Sequence, residues 1–171
     1  MQGVPVLIAL GSNVGDSVGT LRAAVLRLGE EIQIERVSAF VRSAPMYVTD
    51  QPAFVNGVLS GETELGPLAL LLLLKRIEQE FGRQVRVRNG PRELDLDIIA
   101  YGALHLESSL LQVPHPRLAE RRFVLQPLAE IAPDAHLPGL PSVLSMLAAT
   151  EDQALSVQPI RDAALSISGS G

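Results

Sequence analysis

In Leu94-Asp95-Leu96-Asp97-Ile98-Ile99-Ala100-Tyr101, carboxylates and large aliphatic side chains alternate. Side chains i and i+2 of a strand share one face. A strand here buries Leu94, Leu96 and Ile98 in a core and sets Asp95 and Asp97 side by side on the opposite face. Two carboxylates so placed repel unless a cation or a proton lies between them. Just upstream stand Arg83, Arg86, Arg88 and Arg92. Carboxylates that hold Mg²⁺ beside guanidiniums that hold phosphate oxygens would make a metal-polyphosphate site. A salt-bridged strand end, in which the arginines only neutralise the aspartates, fits the same spacing.

At 171 residues the chain suffices for one domain with a proper core. Apolar residues make up 47% and charged residues 19%, which suits a globular fold. With no cysteine, disulfides and thiolate metal sites are excluded. The start lacks the basic-then-apolar pattern of a signal peptide, and the longest apolar run is too short to span a bilayer. The expectation is a cytoplasmic protein without a membrane partner. The net charge of −5 argues against nonspecific nucleic-acid binding. Four of the fourteen basic residues fall between Arg83 and Arg92, and Arg117, Arg121 and Arg122 form a second group. Against an acidic background such islands suggest small anionic ligands, although solvated basic loops would look the same.

Patterning predicts a strand over residues 4–10, then a helix capped by Asp16 or Ser17 with Leu21, Ala24, Val25 and Leu28 on its buried side. Further strands are expected over 34–41 and 54–63, the latter with Gly57 and Gly61 marking a bulge or a close approach. Leu70, Leu73, Leu74, Ile77 and Phe81 define a second amphipathic helix, stopped by Gly82. Residues 83–93 read as a long polar loop and 94–101 as the aspartate strand. A short hairpin is expected within 102–113, a rigid corner at Pro114-His115-Pro116, and helices near 119–131 and 141–149. Residues 1–160 read as one domain and 161–171 as a flexible tail. The order β-α-β-β-α-β predicts an α+β, ferredoxin-like sandwich: a mainly antiparallel four-stranded sheet carrying helices, with extra C-terminal helices.

Five motifs then occur in order: Ala9-Leu10-Gly11-Ser12-Asn13; Asp50-Gln51-Pro52-Ala53-Phe54-Val55-Asn56; Gly90-Pro91-Arg92-Glu93-Leu94-Asp95-Leu96-Asp97-Ile98; Val113-Pro114-His115-Pro116-Arg117; and the run from Arg122 to Ile131. Over roughly residues 4–149 the chain resembles the 6-hydroxymethyl-7,8-dihydropterin pyrophosphokinases of folate biosynthesis. That resemblance implies the ferredoxin-like fold and transfer of pyrophosphate from ATP to the pterin hydroxymethyl group, with AMP as co-product. It implies two Mg²⁺ ions, ATP as co-substrate and a monomer.

Residue by residue, the resemblance makes Asp95 and Asp97 the metal ligands. Arg83 and Arg92 match arginines that neutralise the triphosphate during the reaction. Arg88 and Arg121 match further phosphate-side arginines. His115 matches an ATP contact, as do Lys75, Glu78 and Ile98, with an exposed helical charge pair as the alternative for Lys75 and Glu78, nearly as good for Lys75. For the pterin, Phe54 and Phe123 suit its flat faces, and Asn56 suits its donor-acceptor edge. Ser43, Ala44, Pro45 and Met46 match a loop that meets that edge through backbone groups. The chain departs from the family pattern at Asn89 and Pro116, where aromatics are often found, and its arginine loop is about one residue short. That loop is expected to act as a lid. Nucleotidyl transfer and a non-catalytic pterin- or nucleotide-binding regulator are the competing readings. The low basic charge weighs against the first, and the retention of both aspartates against the second.

Overall fold

The computed structural model describes residues 3–45, 50–82 and 93–160. The expectations for Met46, for Arg83, Arg88 and Arg92 with the proposed lid, and for the 161–171 tail lie outside the described residues.

β1 (Val4–Ser12) buries Val6, Ile8 and Leu10 on one face. The Asp16 carboxylate then accepts the Gly19 N–H at 3.1 Å and starts α1 (Ser17–Gly29), whose buried residues are the predicted Leu21, Ala24, Val25 and Leu28. The single strand expected over 34–41 is two, β2 (Gln33–Val37) and β3 (Val41–Ser43). Ser38 and Phe40 cause the break. The Ser38 hydroxyl, rather than a ladder carbonyl, accepts the Val58 N–H at 3.0 Å. The Phe40 ring turns into the core against Gly57, where a Cβ would lie 2.7 Å from it.

β4 (Phe54–Thr63) matches its predicted bounds, and both of its glycines mark close approaches. Gly61 lies beneath the Gln33 carbonyl, beside a register shift between Ile34 and Arg36. α2 (Pro67–Glu80) begins on proline, and Gly82 follows it at φ 85°. β5 (Asp95–Tyr101) is the aspartate strand. β6 (Leu106–Glu107) and β7 (Gln112–Val113) form the expected hairpin. A 3₁₀ turn at Leu118–Glu120 precedes α3 (Arg122–Ile131), so the helix starts three residues later than its pattern suggested. α4 (Val143–Ala149) is capped by Ser142. A 3₁₀ turn (Glu151–Ser156) and β8 (Val157–Pro159) follow, neither foreseen from the sequence.

The sheet runs β5-β1-β4-β3-β8, with β2 also on β4, and these pairings are all antiparallel. Its middle is the expected ferredoxin-like α+β arrangement, and β8 extends one edge. α1 and α2 pack on one face with Ile8, Leu10, Leu96 and Ile98. α3 and α4 cover the other face with Val58, Ile99, Leu125 and Leu128, making three layers. A bulge at Ile99 reconciles the two sides. Leu7 pairs with Ala100 and Ile8 with Ile98, so Ile99 and Ala100 both face α3 and Tyr101 returns to the α2 side. There its hydroxyl donates to the Leu65 carbonyl at 2.6 Å.

Candidate active site

β-sheet register assembles the site. Asp97 pairs with Ala9 and Asp95 with Gly11 on β1, while Gly11 in turn pairs with Asn56 on β4. The row Asp95–Gly11–Asn56 therefore crosses three adjacent strands on the α3 face. Adjacent strands lie about 4.8 Å apart, which separates the Asp95 and Asn56 backbones by about 10 Å. Small residues on β1 leave room above the row. A Cβ at Gly11 would stand 3.0 Å from the Asn56 Oδ1.

Asn56 is 6% exposed and its amide donates to the Ser43 Oγ at 2.7 Å. That bond fixes the amide orientation, with Oδ1 toward Gly11. Pro45 follows Ser43 and Ala44 off the end of β3. The Ala44 N–H is already given to the Ser156 carbonyl at 3.2 Å. The expected backbone contact at Ala44 therefore falls to its carbonyl. Phe54 and Phe123 are half-buried, and both stand outside the two hydrophobic cores. Asn13 ties the neighbouring loops together. Its amide donates to Gln51 Oε1 at 2.9 Å and to the Pro52 carbonyl at 3.0 Å.

At the carboxylate end, the Asp97 carboxyl is pushed up to about 7 by burial, then by the charges of Asp95 and Glu78. Arg121 and Lys75 oppose that rise. The raised Asp97 carboxyl shows that ionising it beside Asp95 is costly, and a divalent cation between the two would offset that cost. Among the described residues no cluster of three or more His, Cys, Asp or Glu is placed to hold a metal. A pair of carboxylates is a donor set that Mg²⁺ accepts, since it takes one or two and keeps several waters.

Glu78 is not half of an exposed pair. It is 1% exposed on α2, and its Oε2 accepts the Leu96 N–H at 2.7 Å. It thus fastens the strand that carries both aspartates. Lys75, half-exposed, reaches its Oε1 at 3.7 Å. The Glu78 position was legible in principle, since a glutamate lies on the apolar stripe of Leu74, Ile77 and Phe81. The Ile98 side chain is in the α1/α2 core, which leaves only its main chain for the expected nucleotide contact.

His115 lines a narrow crevice with Asp97, Arg121, Ala9 and Val124. Its N–H donates to the Ile99 carbonyl at 2.9 Å, which docks the proline corner on β5. Nδ1 accepts the Arg117 N–H at 3.1 Å, placing the ring proton on Nε2. Burial, then the Arg121 charge, lowers its pKa to about 4. Of the second basic group, only Arg121 faces this crevice. Arg122 is spent on the Leu147 carbonyl at 2.9 Å, on Gln126 and on Glu151. Arg117 lies 4.0 Å from Glu120. The Arg121 guanidinium stacks 5.7 Å from the centre of the Phe123 ring. A larger hollow of about 850 Å³ lies at the other end of the sheet, but Glu31, Glu62 and Glu64 line it and would repel a polyphosphate.

A ferredoxin-like α+β sandwich with paired carboxylates and a buried amide on one sheet face is the class of protein that the fold and the candidate site describe. A family model for 7,8-dihydro-6-hydroxymethylpterin-pyrophosphokinase matches residues 7–133, and the chain belongs to that family. It is 41% identical over 133 residues to a 2-amino-4-hydroxy-6-hydroxymethyldihydropteridine pyrophosphokinase of Aquifex aeolicus, covering 78% of this chain and 83% of that protein. It is 46% identical over 131 residues to the mitochondrial folate synthesis bifunctional protein of Pisum sativum, covering 76% of this chain. The chain spans only 25% of the length of that pea protein. An HPPK-DHPS chain of Plasmodium falciparum shares the fold with a TM-score of 0.71 at 12% identity, over 92% of this chain and 47% of that one. Among the described residues no helix is long and apolar enough to cross a membrane.

Proposed function

We propose that the chain transfers pyrophosphate from ATP to the hydroxymethyl group of 6-hydroxymethyl-7,8-dihydropterin, giving AMP and the pterin diphosphate in folate synthesis. The row Asp95–Gly11–Asn56 carries this reading, because it puts a carboxylate and a buried amide on one face about 10 Å apart. Asn56, held by Ser43, presents Oδ1 to the donors of the aminopyrimidinone edge. Phe54 and Phe123 supply flat surfaces for the ring, joined by Ser43, Ala44, Pro45 and Met46 at its edge. Asp95 and Asp97 hold Mg²⁺, with two ions in the full complex. When bound, Mg²⁺ neutralises phosphate charge and acts as a Lewis acid toward the transferred group.

Arg121 offers a guanidinium to phosphate oxygens across the same crevice. Neutral His115 gives an Nε2–H donor at no cost in charge. Glu78 keeps β5 in register, while Lys75 and the Ile98 main chain lie on the nucleotide side. Arg83, Arg88 and Arg92 complete the triphosphate contacts in this reading, with Arg83 and Arg92 acting in the chemistry. The same reading makes the protein a cytoplasmic monomer, which sedimentation and cell fractionation check. ATP labelled on the γ-phosphate should pass its label to the pterin and release unlabelled AMP. Label in free phosphate, or ADP as product, would overturn the assignment.

A further inference from the structure

The segment after residue 133 lies beyond the family match, yet it grips the site from behind. Gln153 sits in the 3₁₀ turn that leads into β8. Its Nε2 donates to the Glu120 carbonyl at 2.9 Å, and its Oε1 accepts the Arg122 N–H at 3.1 Å. The two bonds bracket Arg121 from either side, as a neighbouring strand would. They also serve a helix that needs them. Arg121 occupies the cap position of α3, and no side chain of its own caps the helix. Gln153 supplies the acceptor instead.

Gln153 is itself held. Its N–H donates to the Thr150 carbonyl at 2.9 Å, and Thr150 is buried. Arg122 adds a second anchor through the Leu147 carbonyl. Fixing both flanking peptides leaves Arg121 one backbone setting, φ −119° and ψ 90°, from which its side chain reaches the crevice of Asp97 and His115.

We infer that Gln153 is a positioning residue, which sets the Arg121 guanidinium at the phosphate end of the site by clamping the peptides on either side of it. The inference rests on the reading of Arg121 as a phosphate-side ligand. Gln153→Met keeps bulk and removes both hydrogen bonds. It should lower kcat about tenfold, the scale on which sub-ångström misplacement acts, with little change in pterin affinity. In an Arg121→Ala background the same substitution should cost nothing further, because the group it positions is gone. In ¹⁵N spectra of the full chain, the Arg121 Nε–H signal should move or broaden in Gln153→Met. Gln153→Ala serves as a second truncation if the methionine variant folds poorly.

An unchanged Arg121 Nε–H signal would overturn the positioning role whatever the activity. So would an equal kcat loss with and without Arg121, since that marks a general structural defect. Normal turnover by Arg121→Ala alone would instead remove Arg121 from the phosphate site, and the spectrum would still decide whether Gln153 positions it.

Discussion

At the scale of single residues, the site trades stability for charge. Asp97 is held with its carboxyl at about 7, so at pH 8 without metal it is ionised against burial and against Asp95. Asp97→Asn removes that cost and keeps the shape. Without Mg²⁺ at pH 8 this variant should melt a few degrees above the wild type, of order 1 kcal/mol or about 4 °C. If Asp97 holds the cation as proposed, turnover should nonetheless fall about 10³-fold or more, since a Lewis-acid ligand is then lost. Melting curves and an AMP assay check both halves, and a variant no more stable than the parent would contradict the charge argument. Asn56 gives a second test. Its buried amide is already oriented by Ser43, so Asn56→Ala should weaken pterin binding by about 1–3 kcal/mol, the cost of unpaired polar atoms. ATP affinity should stay as it is. Calorimetry with each ligand separates the two, and a loss confined to ATP would reverse the pocket assignment.

At the scale of elements, close backbone approach decides where the site residues stand. Phe40 fills the space that a side chain at Gly57 would need, next to Asn56 in sequence. Gly57→Ala must push β4 from the ring or the ring from the core, at about 1–3 kcal/mol for overpacking. Denaturant melts should show that loss, and pterin affinity should fall with it, while a variant of normal stability would mean that the core yields. Much of this level was legible in the sequence. The stripes of α1 and α2, the bounds of β4 and the alternation of β5 are periodic signals that tertiary packing had no reason to override. What stayed hidden is what periodicity does not encode. Nothing in Ser38 announces a hydroxyl standing in for a ladder carbonyl. Three residues are too few for β8 to declare itself by pattern. Gln153 is an unremarkable glutamine until α3 and the last turn meet. The structural settings of the aspartates, His115 and Asn56 were legible because each is a polar residue in an apolar or rigid setting, whereas the spending of Arg122 on the Leu147 carbonyl, Gln126 and Glu151 needed the fold.

At the scale of the whole molecule, two buried groups pull the pH dependence of stability in opposite directions. The folded pKa of His115 is about 4, below its ordinary 6.5. Between these values the unfolded chain binds the proton and the folded chain does not, so His115 makes stability fall as pH drops from about 6.5 to about 4. Asp97 is the reverse case, raised from its ordinary 3.8 to about 7. There the folded chain binds the proton first, so Asp97 makes stability rise as pH drops from about 7 toward 3.8. Each slope is at most about 1.4 kcal/mol per pH unit. The windows overlap almost completely, and in the metal-free protein the two contributions offset each other. Single substitutions should expose them. Relative to the wild type, Asp97→Asn should lose stability steeply on acidification from pH 6.5 to 4.5, because only the histidine contribution remains. His115→Gln should show the opposite tilt. Saturating Mg²⁺ should make the wild type resemble Asp97→Asn, since a cation on the carboxylates drives the proton off Asp97 and cancels its contribution. Urea melts at half-unit pH steps, with and without Mg²⁺, measure all three profiles. Parallel profiles for the wild type and Asp97→Asn in the absence of metal would show that Asp97 titrates in the ordinary carboxylate range, and would remove the cost of ionisation that points to a cation between the aspartates.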